Sequence, residues 1–281
     1  ELELIRRASR CGVRTLSVID FWSNYRERFT DSEGQCVLPD AIAVMDSQSQ
    51  KAMVREGFPS DRLHVTGNPA FDDLVRFQIS GVRELSRKRI RSIAGCASNS
   101  VCLLFVSQPL SELYPKGELG FQEEEVLRDV VNQLDRIFSE RTLNGVLLLK
   151  PHPREAEYYS LPPLSPTSHL KVKVLRNPDI GSREATLGCD LVVGMNSMVL
   201  MEACLLGRPV VSYQPGLKVP DLLPSNALGW SRAIYCRDSL HDALVAELES
   251  SQTPGTPRQT LPGSPPLGTS TLNVANLLLH N

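Results

Sequence analysis

No apolar run in this chain approaches the roughly 18 residues that a membrane-spanning helix requires, so no span is expected. Charge of one sign is also missing. Thirty Lys and Arg stand against 32 Asp and Glu, a net charge of −2, which excludes bulk attraction to nucleic acid or anionic lipid. The seven cysteines contain no C-x-x-C pair. They are scattered, several of them in apolar strands or helices, and read as reduced, buried thiols of a cytoplasmic protein, which argues against a zinc site. No Asp-x-Asp motif sits at a strand end, so no obligatory metal is expected. At 281 residues, 41% hydrophobic and 22% charged, the chain is ordinary enough to bury a full core and long enough for two domains.

The periodic segments form two blocks of alternating strands and helices. In the first, strands are expected at 15–20, 41–46 and 63–66. In the second they fall at 101–106, 146–149, 171–175, 191–193, 210–213 and 233–235. Such alternation predicts an α/β protein with two Rossmann-like parallel-sheet domains. The expected organisation is a partial N-terminal domain over 1–80, a basic connector over 81–100, a second domain over 101–250 and a flexible tail over 251–281. That tail is rich in Pro, Gly, Ser and Thr, and a short terminal helix over 272–280 could dock on the body. The connector carries Arg83, Arg87, Lys88, Arg89 and Arg91. It reads either as a solvated helix or as a phosphate or membrane-surface contact.

The run Cys189 to Tyr213 is the most informative. A buried strand ends at Gly194, a turn follows through Asn196 and Ser197, and an apolar helix begins at Met198 and stops before Gly207 and Pro209. Ser197 suits the N-cap. The first-turn amides and the helix dipole then point at one spot, which binds phosphate without a metal. Gly194, Asn196 and Ser197 are therefore candidates for a diphosphate, or else form a plain capped turn. Glu202 interrupts an otherwise apolar helix and needs a partner. Ribose hydroxyls would serve, as would Arg208 or Lys150. Lys150 and His152, in Lys150-Pro-His-Pro153, end a strand on a loop stiffened by two prolines and could meet a phosphate. Glu155 reads as a helix-start acid. Ser107, Gln108 and Gln214 end other strands, where they line a cleft or simply turn the chain. Asp20 ends a strand ahead of Phe21, Trp22 and Tyr25. It is a candidate general base for an acceptor hydroxyl, given burial, or an N-cap.

In order and spacing, Val65-Thr-Gly-Asn-Pro-Ala-Phe-Asp72, Lys150-Pro-His-Pro153 and Glu202-Ala-Cys-Leu-Leu-Gly-Arg-Pro209 resemble the two-domain GT-B superfamily. That group contains nucleotide-sugar glycosyltransferases and UDP-N-acetylglucosamine 2-epimerases. The resemblance implies a donor domain in the second block, with Glu202 on the ribose, and an acceptor side in the first. It also implies that the first domain lacks its opening strands. The epimerases carry a histidine where this chain has Gln108, which favours transfer of sugar from a nucleoside-diphosphate sugar, the only co-substrate implied. The acceptor would be a sugar or a lipid-linked acceptor, met in the cytoplasm or at the inner membrane face, with a homo-oligomer allowed. Alternatives are a UDP-sugar 2-epimerase, a CDP-polyol phosphotransferase and a non-catalytic nucleotide-sugar-binding subunit.

Overall fold

The computed structural model describes residues 1–97, 100–155, 163–164, 167–176, 180–251 and 255–280. It divides into two compact units, Glu1–Arg76 with Gln259–Asn281, and Phe77–Arg258. In chain order the first unit opens with α1 (Leu2–Arg10), β1 (Leu16–Val18), α2 (Tyr25–Arg28), β2 (Ala41–Val44), α3 (Ser47–Arg55), β3 (Leu63–Val65) and α4 (Leu74–Phe77), whose last residue already lies in the second unit. The second unit continues with α5 (Val82–Ala94), β4 (Val101–Val106), α6 (Leu110–Leu113), α7 (Glu123–Glu140), β5 (Gly145–Lys150), β6 (Leu170–Val174), α8 (Ser182–Gly188), β7 (Leu191–Gly194), α9 (Met198–Leu205), β8 (Val210–Tyr213), α10 (Pro224–Ala227), β9 (Arg232–Ile234) and α11 (Leu240–Ser250). The chain returns to the first unit with α12 (Ser270–His280).

Both sheets are parallel, as the alternation predicts. The first has three strands in the order β1-β2-β3, and the second has six in the order β6-β5-β4-β7-β8-β9. In the second unit β4, β5 and β7 are nearly continuous apolar runs because both faces are covered. Leu103, Phe105, Leu147, Leu149, Leu191 and Val193 pack with the stripe Val126, Val130, Leu134 and Ile137 of α7 and with Leu244 of α11. The alternate residues Cys102, Leu104, Val106, Val146, Leu148 and Val192 pack with Ile90 of α5, Ala185 of α8 and Leu200 and Cys204 of α9. Glu123, Glu124 and Glu125 fill the first turn of α7, where their charge suits the helix dipole.

Two expectations about organisation change. The basic segment is no solvated connector: α5 buries Ile90 and Ala94 in the core of the second unit, since its apolar residues recur with helical spacing beneath the arginines. Residues 259–281 belong to the first unit, and the terminal helix expected over 272–280 is α12, docked on that body. Leu277 and Val274 of α12 cover Ala41 and Ala43 of β2. Asp72 accepts hydrogen bonds from the amides of Gly268, Ser270 and Thr271 at 3.1, 3.0 and 2.7 Å, fixing the start of that helix. No helix among the described residues is long and apolar enough to cross a membrane.

Candidate functional site

The six-stranded sheet grows outward from β4 in two directions, through β5 and β6 on one side and through β7, β8 and β9 on the other. The order therefore reverses between β4 and β7. In open parallel sheets the crevice at the carboxyl ends of such a strand pair is where ligands bind. The register places Lys150, Val106, Gly194 and Ser212 in one transverse row at those ends. The residues just beyond that row include Ser107, Gln108, His152, Asn196, Ser197 and Gln214, so one unit brings together all the strand-end candidates of the second block.

The turn after β7 is held from both sides. Gln108 Oε1 accepts from the Asn196 amide at 3.0 Å, bridging the two strands of the reversal. Ser212 Oγ donates to the Met195 carbonyl at 2.6 Å. Ser197 is the N-cap, its hydroxyl accepting from the Val199 amide at 3.3 Å, and its carbonyl takes the Leu200 amide at 2.9 Å. The amides of Ser197 and Met198 find no acceptor among the described residues, and they are the donors this turn offers. Gly194 is closely packed where a side chain would point. A Cβ there would lie 3.1 Å from the Val106 carbonyl oxygen and 3.2 Å from Leu200 Cδ2.

Glu202 has a protein partner, and it is neither Arg208 nor Lys150. Arg183 of α8 donates to Glu202 Oε1 through Nη2 at 2.8 Å and Nε at 3.2 Å. Helix α8 escaped the sequence reading, which had no apolar period long enough to reveal it. Lys150 is only 5% exposed, and its ammonium donates to the Ile180 carbonyl at 3.0 Å. It belongs to the floor of the site. Arg208 is buried at the far end of α9, against the Asp190 carbonyl.

The loop after β5 is organised by Glu155. Its Oε1 accepts from Ser107 Oγ at 2.6 Å, and its other oxygen accepts from the His152 amide. The acid that read as a helix-start residue thus ties the ends of β4 and β5 together. His152 Nδ1 accepts from the Arg154 amide at 3.2 Å, so the neutral ring holds its proton on Nε2 as a donor.

Gln214 is buried and donates to Asp221 Oδ2 at 3.0 Å and to Ser212 Oγ at 3.1 Å. Asn226 and Tyr235 donate to the same Asp221 oxygen at 2.6 Å each. Burial and then this bond push the Tyr235 phenol up to about 12. Gln214 therefore braces the site from beneath, in place of lining a nucleotide pocket. Asp221 is another residue the sequence did not single out, because a lone acid in a loop carries no pattern.

Asp20 lies in the first unit. Its carboxylate is exposed and pairs with Arg28 Nη1 at 2.7 Å, so the burial a general base would need is absent. The aromatic residues that follow it are partly buried or buried, and Trp22 Nε1 donates to Asp46 at 2.7 Å.

Comparison with solved structures now identifies the architecture. The UDP-GlcNAc 2-epimerase from Neisseria meningitidis bound to UDP-GlcNAc aligns over 100% of this chain and 73% of its own, with a TM-score of 0.63 and 13% identity. The fold is GT-B-like. The Methanocaldococcus jannaschii UDP-GlcNAc 2-epimerase, in complex with UDP-GlcNAc and UDP, shares this GT-B-like fold over 100% of the chain and 73% of its own, at a TM-score of 0.60 and 14% identity. The Staphylococcus aureus MnaA–UDP co-structure matches over 96% and 68%, at 0.56 and 12%. No family model matches the sequence. No curated protein matches it either.

Proposed function

We propose that this protein is an enzyme acting on a nucleoside-diphosphate sugar, which the second unit binds, and that it transfers the sugar to an acceptor. The observation that carries this reading is the gathering of polar strand-end loops where the sheet order reverses, with two unengaged amides at the start of α9. As the anomeric bond breaks, the sugar gains oxocarbenium character and the departing diphosphate gains negative charge. The Ser197 and Met198 amides, the positive end of α9 and His152 Nε2 stabilise that charge without a metal. Arg183 holds one oxygen of Glu202, leaving Oε2 to accept from ribose hydroxyls.

The solved neighbours that carry UDP or UDP-GlcNAc make uridine nucleotides the first ligands to try. Titration calorimetry with UDP, CDP, GDP and their sugars is the test. Binding of one base series, weakened about tenfold by Ser197→Ala for the lost turn geometry, is expected. Failure of every nucleotide to bind, or unchanged affinity in the combined Ser197→Ala and Glu202→Gln variant, removes the reading.

Epimerisation at C2 is the second reading, supported by the fold of the neighbours. It requires a proton to leave and return at carbon. Gln108, an amide whose oxygen already accepts from Asn196, is neither a general acid nor a general base at neutral pH. Deuterium entering C2 of UDP-GlcNAc in heavy water would establish epimerisation and displace sugar transfer.

A further inference from the structure

The arginines of α5 lie outside the proposed nucleotide site. Arg83, Arg87 and Arg91 are four residues apart and share one helix face. That face meets Asp190, just ahead of β7, at the strand end away from Asn196 and Ser197. Arg87 pairs with Asp190 Oδ1 at 2.9 Å and Arg91 with Oδ2 at 3.3 Å. Oδ2 also accepts from the Cys102 amide at 2.9 Å.

A fourth guanidinium arrives from Arg208, which is 3% exposed. Its Nη2 donates to the Asp190 carbonyl at 3.0 Å, but Nε and Nη1 have no hydrogen-bond partner among the described residues. Burial, with the charge of Arg83 next, pushes Arg208 down to about 10. Burial and then Arg87 lower Arg83 as well. The acids acting on Arg83 are Asp190 and the exposed Glu84. Among the described residues, four cations against these two carboxylates leave an excess of two positive charges, and two buried guanidinium nitrogens of Arg208 lack acceptors.

We propose that Arg83, Arg87 and Arg208 form an anion site for a phosphate-class dianion, at the edge of the second unit opposite the α9 turn. A dianion balances the excess charge. Tetrahedral oxygens accept from guanidinium forks that approach from the helix and from beneath it. The same chemistry could come from a free phosphate compound or from a lipid headgroup. The depth of Arg208 favours the free compound.

The test uses the full chain. Inorganic phosphate is titrated against chloride at matched ionic strength, followed by thermal unfolding and phosphorus NMR line width. Phosphate should raise Tm beyond chloride. Arg83→Gln with Arg87→Gln, both at half-buried positions, should weaken phosphate binding about tenfold per arginine. Ser197→Ala, in the proposed nucleotide site, should leave the response intact, which separates this site from that one. Flotation with phosphatidylglycerol vesicles, abolished by the same arginine changes, would uphold the site and assign its phosphate to a lipid. Equal responses to phosphate and chloride without flotation overturn the proposal, as does a response that survives the arginine changes or vanishes with Ser197→Ala alone.

Discussion

Glu202 illustrates what a residue type discloses and what it conceals. A carboxylate in the apolar helix Met198–Leu205 must be satisfied, and that need is legible from composition alone. Its partner is not, because Arg183 lies on a separate short helix nineteen residues earlier and meets Glu202 only after both pack on the sheet. With side chains 12% and 25% exposed, the pair is mostly desolvated. Arg183→Ala leaves Glu202 without its donor and should cost about 1–3 kcal/mol. Arg183→Ala with Glu202→Gln should recover part of that loss, since a neutral amide tolerates the site better. Chemical denaturation of the two single variants and the double checks this. Strict additivity would mean that the two side chains are not coupled. Gln108 and Glu155 make the same point: each sits at a strand end that the sequence locates, but the bonds to Asn196 and to Ser107 arise from loops meeting in space.

Among elements, strands were the most readable. Their apolar runs need no partner to be recognised, and the nine strands among the described residues all fall where the sequence puts them, within a few residues. Short helices such as α6, α8 and α10 were invisible because four to seven residues carry too little periodicity. The contact between α5 and α8 was equally hidden, since it depends on one glycine. A Cβ on Gly188 would lie 2.7 Å from the Ser86 carbonyl oxygen and 2.9 Å from Ile90 Cγ2. Backbone of α5 cannot yield as a flexible side chain would. Gly188→Ala should therefore push the two helices apart and cost about 1–3 kcal/mol, the usual range for overpacking. The measurement is urea unfolding of the variant, and a midpoint matching the parent protein would show that the helices slide freely. Because α5 carries Arg83 and Arg87, the same variant should also blunt the response to phosphate.

For the whole molecule, the two-block organisation could be read from the strand spacing, but the composition of the first unit could not. Proline and glycine around residues 251–270 signal loose chain and the terminal helix is legible as one that could dock, but nothing local announces that its partner is a sheet formed more than 200 residues earlier. Asp72 makes that closure sensitive to pH. Burial raises its affinity for a proton, but the hydrogen bonds from Thr271 and Ser270 outweigh burial and hold the carboxyl below its ordinary value. A depressed carboxylate contributes stability above its unfolded pKa and loses it as pH falls through the folded one. Acid should therefore release α12 before it unfolds the second unit. Asp72→Ala removes the acceptor of the Ser270 and Thr271 amides, as a lost N-cap does, and should cost the first unit about 1 kcal/mol at neutral pH. Hydrogen exchange resolved by peptide checks both statements. Amides of 270–280 should exchange faster in the variant and at low pH, while those of β4 and β5 keep their protection. Uniform acceleration across both units would show instead that α12 is not a separately releasable element.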